Sequence, residues 1–166
     1  MPVFMKIIGS NGWIKGNVTD KEHKDWIAVD SMCRSFKRAV NIETGAGRDV
    51  TTASKLACSA ISISKSACPA STPLLQQLFQ NKVLEEVRFV VVPDESDDCA
   101  RKDYEIILKG SVIGLFSDST SGGASPKESI TFYYHEIEIH DYIKDEKNDA
   151  AAPMRMGYNV SSNKTM

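Results

Sequence analysis

The sequence predicts a mainly β domain, a closed or nearly closed β-barrel with one flanking α-helix at about Pro73 to Val83. Three observations carry that expectation. Runs rich in β-branched and aromatic residues recur along the chain, each bounded by Gly, Ser, Asn, Asp or Pro. Only the segment opening at Thr72 combines a helix start signal with helical apolar spacing. In the longer runs the apolar parity switches part way, as happens where strands bend around a closing sheet and bulges turn the corners.

Val3 to Ile8 is a β-type run that stops at Gly9, Ser10, Asn11 and Gly12 and resumes at Trp13 and Ile14, an opening strand with a bend. Trp26 to Val29, continuing towards Phe36, reads as a second strand. Asn41 to Thr52 contains Gly45 and Gly47 and few large apolar side chains, and reads as a long exposed loop. Leu56, Cys58 and Ala60 share one parity and Ile61 and Ile63 take the other, so a bulge is expected near Ala60.

In the helix, Thr72 is placed to cap, Pro73 suits the first position, and Leu74, Leu75, Leu78 and Phe79 form one apolar face. A helix of about three turns is marginal alone, so this stripe must dock on a sheet. Val87 to Val92 and Tyr104 to Leu108 read as a long hairpin joined by the carboxylate-rich segment Pro93 to Asp103. Val112 to Phe116 is a further strand, and Ser117 to Pro126 a Ser- and Gly-rich loop. From Ile130 to Ile143 the apolar residues move from even to odd positions, a second change of face. The tail from Ala150 to Met166 is weakly patterned, and no internal repeat is present.

At 166 residues, 42% hydrophobic and 25% charged, the chain is read as one domain spanning residues 1–166. A chain of this length buries roughly 70% of the surface its unfolded form exposes. A net charge of −2 argues against nucleic-acid binding, which needs a clustered cationic excess. Arg34, Lys37 and Arg38 are the densest basic cluster, read as a solvated strand face with an anionic contact as the alternative. Met1 to Ser10 has no signal-peptide pattern, and the strongest apolar run, Phe89 to Val92, is too short to span a bilayer. A soluble chain with no membrane insertion is expected.

The chemistry-bearing residues form no recognisable active site. Cys33, Cys58, Cys68 and Cys99 lack CxxC or zinc spacing and are expected as reduced, buried or half-buried thiols. His135 and His140, five apart on one strand, point to opposite faces in regular pleating and share no third ligand, so a surface role outweighs a metal or general-base role. His23, between Glu22 and Lys24, reads as part of a polar turn. Asp94, Glu95, Asp97 and Asp98 lack the calcium-loop pattern and read as a solvated hairpin tip. Gly45-Ala46-Gly47-Arg48 matches neither a dinucleotide fingerprint nor a phosphate loop. Three Asn-x-Ser/Thr matches, at Asn17, Asn159 and Asn163, are taken as coincidence. No catalytic residue, metal site or cofactor is expected.

Four blocks carry a resemblance. Gly16-Asn17-Val18-Thr19-Asp20-Lys21-Glu22-His23 followed by Ile27-Ala28-Val29 is similar to a G-x-x-x-D-x-x-H loop entering an I-x-V strand. Ser71-Thr72-Pro73-Leu74-Leu75 opens the helix, Asp103 to Leu108 with Pro126 to Tyr134 matches a closing hairpin, and Gly157-Tyr158-Asn159 lies near the end. In order and spacing they resemble the Hcp (haemolysin-coregulated protein) family of type VI secretion systems. Met32 and Arg34 stand where many relatives carry aromatic residues, and the four cysteines are not a family hallmark.

The resemblance implies a β-barrel with one flanking helix and no enzyme chemistry. Six copies would form a ring, and rings would stack into the inner tube of a contractile sheath. The tube is assembled in the cytoplasm and propelled out of a Gram-negative cell behind a spike, without a cleaved signal peptide. The partners implied are the chain itself, the sheath and spike proteins, and small effectors in the ring lumen. The loop Gly45, Ala46, Gly47, Arg48, Asp49 and Val50 is nominated for ring-to-ring contact. A secreted effector or monomeric binding module on the same fold is the rival reading, and a metal-dependent hydrolase using His135 or His140 is a distant third.

Overall fold

The computed structural model describes residues 1–45, 48–93, 102, 104–142 and 152–166, with backbone alone for 41–45 and 48–53. The chain opens as β1 (Val3–Gly9) and β2 (Gly12–Ile14), with Gly9 opposite Gly12. The expected bend is therefore a two-residue hairpin turn, closed by Gly12 at a φ of +104° that disfavours any side chain. β3 (Ile27–Val29), β4 (Ser31–Cys33) and β5 (Phe36–Lys37) follow as three short pieces of the expected second strand.

The region expected as a long loop is a β-hairpin. β6 (Val40–Gly45) and β7 (Arg48–Ala53) pair antiparallel from Val40 opposite Ala53 to Gly45 opposite Arg48. Val40, Ile42, Thr44, Val50, Thr51 and Thr52 are β-branched and suit extended backbone. Next come β8 (Ala57–Cys58) and β9 (Ile61–Ser66), interrupted at Ser59 and Ala60 where the parity changes.

Helix α1 spans Ser71–Phe79, shorter than the expected Pro73 to Val83. Its N-cap is Ala70, with no side-chain cap, so Thr72 does not cap it. Asn81, at a φ of 49°, ends it. The Asn81 N–H donates to the Leu78 carbonyl and the Lys82 N–H to that of Gln77, the two bonds of a Schellman ending. Leu74 is fully buried and contributes on the order of 1.5–3 kcal/mol, whereas Phe79 is 78% exposed and lies off the docked face.

β10 (Leu84–Val91) and β11 (Tyr104–Ser119) form the long hairpin. The strand expected at Val112 to Phe116 is the second half of β11. β12 (Lys127–Tyr133) and β13 (Glu136–Asp141) both lie on the other edge of β11, with Tyr134 and His135 between them at the predicted change of face. A register shift at Gly114 bends β11, and the Tyr133 ring occupies the space a Cβ there would need. The tail is not irregular: β14 (Met154–Asn159) pairs with β13, and β15 (Lys164–Thr165) pairs with β14.

The main sheet runs β15-β14-β13-β11-β10-β1-β2. β12 also pairs with β9, β9 with β4, and β3 with β1. The core lies between these strands and α1, with Met5, Ile7, Ile61, Ile106 and Ile130 fully buried around Phe89 and Phe132. Those two rings meet edge to face with centroids 6.1 Å apart.

Candidate assembly interface

The nominated loop sits at the end of the β6–β7 hairpin. Gly45 pairs with Arg48, Thr44 with Asp49 and Glu43 with Val50, while Ala46 and Gly47 lie outside the described residues. β6 and β7 form a two-stranded sheet of their own and pair with no other strand among the described residues.

The G-x-x-x-D-x-x-H block is a folding device. Gly16 donates its N–H to the Asp25 carbonyl at 2.7 Å, and a Cβ at Gly16 would meet the Trp26 carbonyl oxygen at 2.3 Å. Asp20 accepts from the Glu22 and His23 N–H groups and fixes the turn. His23 is not a bland surface residue but 3% exposed, stacked on Phe4 at 4.8 Å and edge-on to Trp26 at 5.0 Å. Burial lowers its pKa against the opposing pull of Asp20.

His135 and His140 are separated as expected. His135 Nδ1 lies 3.1 Å from the Ser161 hydroxyl, whereas His140 sits between Glu105 and Glu138, 3.6 Å from each. Among the described residues no group of three His, Cys, Asp or Glu side chains is placed to hold a metal ion. Cys33 is exposed, Cys58 and Cys68 are half-buried, and all three are free thiols. Cys99 and the acidic segment Asp94, Glu95, Asp97 and Asp98 lie outside the described residues. Arg34 is drawn out of the expected solvated cluster. Its guanidinium packs over Tyr104 at 4.6 Å and Phe36 at 5.9 Å.

Two polar centres went unnoticed in the sequence. Glu105, 2% exposed, accepts hydrogen bonds from Arg88 at 3.1 Å, Lys102 at 3.4 Å and the Tyr142 hydroxyl at 2.8 Å. Burial pushes its pKa up, but Tyr142, Lys102 and Arg88 outweigh burial and hold the carboxyl below its usual range. The second centre joins Lys65 and Glu128, neighbours across β9 and β12, in a buried ion pair. Ser71 donates to Glu128 at 2.8 Å and receives a bond from Lys65 at 2.9 Å, which is why it serves this pair instead of the helix cap. Single lysines and glutamates on strands carry no sequence mark of such pairing. Ser71 and Glu128 border an open cleft of about 500 Å³ beside the helix, but the Ser71 hydroxyl is held between Lys65 and Glu128 with no histidine beside it, so both centres read as structural.

The fold is thus a mainly β domain with one short helix and a self-paired hairpin. Residues 4–140 match the protein family described as "Type VI secretion system effector, Hcp". The chain belongs to the Hcp family of the type VI secretion system. The match covers the first three sequence blocks. Among solved structures, Hcp1 from Salmonella typhimurium is similar with a TM-score of 0.78 at 17% identity, covering 99% of this chain and 98% of that one. A structure described as a type six secretion system protein aligns with a TM-score of 0.84 at 19% identity, covering 99% of both chains. The baseplate of the anti-feeding prophage shares the fold more distantly, with a TM-score of 0.54 at 9% identity over 82% of this chain and 91% of that one. Among curated proteins none matches the chain. No helix among the described residues is long and apolar enough to cross a membrane.

Proposed function

We propose that this chain is a tube subunit of a type VI secretion system. Copies close into hexameric rings, rings stack into the inner tube within the sheath, and the tube leaves the cell behind its spike with effectors carried in the lumen. The role is structural and not enzymatic. The observation that carries the reading is the β6–β7 hairpin, whose strands pair only with each other among the described residues and so leave their outer edges for contact with a neighbouring ring. A ring needs different, complementary surfaces side to side, and a tube needs different surfaces top to bottom. Gly45, Ala46, Gly47, Arg48, Asp49 and Val50 make the ring-to-ring contact on this account.

The subunit body is a barrel in the same reading. Support comes from β3 and β4, separated only by Asp30, which pair with β1 and β9 respectively. Ladders then lead from β9 through β12, β11 and β10 back to β1.

Replacing Gly45 and Gly47 together with Pro tests the stacking role. Proline at 45 removes an N–H from the hairpin and restricts its backbone. Electron microscopy is expected to show single rings and few tubes. Tubes of normal length and number from this variant would remove the hairpin tip from the account.

A further inference from the structure

The sheet formed by β13, β14 and β15 overhangs the short β5–β8 ladder and leaves a cleft of about 350 Å³. Phe36, Leu56, Ile139, Met156 and Tyr158 supply apolar surface to it. Arg38 is the charged residue among the described lining, and no carboxylate lines the cleft beside it. Arg38 is exposed and makes no ion pair among the described residues. On a chain of net charge −2, a concave apolar surface whose one charged residue among the described lining is an arginine is a local departure from the average.

Ligand pockets of a few hundred Å³ are mostly apolar, with a small number of polar groups that fix orientation. We infer that this cleft binds an amphipathic monoanion, an apolar tail with a carboxylate-type head. The tail lies against Ile139, Met156 and Phe36, where burial of methylene groups supplies the affinity. The head pairs with the Arg38 guanidinium in a charge-assisted hydrogen bond. None of Gly45 to Val50 is among the described lining of the cleft, and the inference does not rest on ring formation.

Decanoate is the probe, titrated calorimetrically into the full-length protein in its native assembly, with decanol as the uncharged control. Saturable decanoate binding, stronger than that of decanol, is expected. Arg38→Gln is expected to weaken decanoate about tenfold and to erase its advantage over decanol. Met156→Trp, at a position 56% exposed and so tolerant of the change, fills the cleft and is expected to abolish binding of both. Absence of saturable binding, or binding that neither variant alters, overturns the inference. If decanoate fails to bind and Met156→Trp instead dissociates the assembly, the cleft is a contact for a second copy of the chain, and the inference is equally overturned.

Discussion

His23 shows how one side chain ties sequence to pH response. It lies wedged against Phe4 and Trp26, with Asp20, Glu22 and Lys102 as its charged neighbours. Its folded pKa lies below the ordinary 6.5, so the unfolded chain takes up its proton first as the pH falls. Stability from this residue is complete above pH 6.5 and is lost as the pH drops through the depressed folded value. His23→Phe keeps an aromatic stack and removes the titration. Denaturant melts of this variant, compared with wild type, are expected to show a flatter decline as the pH falls below 6.5. Lys65 and Glu128 make the complementary case, since a buried pair is worth little net but costly to break. Lys65→Met alone is expected to cost about 3–5 kcal/mol in urea unfolding, while adding Glu128→Leu recovers most of that loss.

Among the elements, those with large apolar side chains were the legible ones. Met5, Ile7, Ile61, Ile63, Ile130 and Phe132 alternate in the sequence and are buried in the structure, and both predicted changes of face coincide with breaks in the strands. The β6–β7 hairpin was not legible as strand, because a segment with two glycines, several threonines and few large apolar residues resembles a polar loop when apolar content is the guide. β14 was missed although Met154, Met156 and Tyr158 repeat with period two, since the first two are exposed. Helix α1 was found but overextended. Asn81 was the stop signal, an αL residue two positions past the last helical one. Asn81→Val is expected to cost about 1–2 kcal/mol in thermal unfolding, and Asn81→Gly essentially nothing, because only the branched side chain is strained there.

On the scale of the whole molecule, the chain's membership in the Hcp family was legible from short blocks, and their structural reasons are now plain. Gly16 permits the close approach of Trp26, Asp20 fixes the turn, and His23 seals the loop against β1. These are folding residues, which is why they mark a fold without marking an active site. The apolar cleft was illegible, because Phe36, Leu56, Ile139 and Met156 converge from distant parts of the chain. The proposed ring is the central claim, and the mass of the purified protein in solution tests it most directly. Measured from micromolar to millimolar concentration, the account predicts a closed hexamer of six 18.3 kDa chains, with rings around a central hole in electron micrographs. A single-chain mass at every concentration would contradict it.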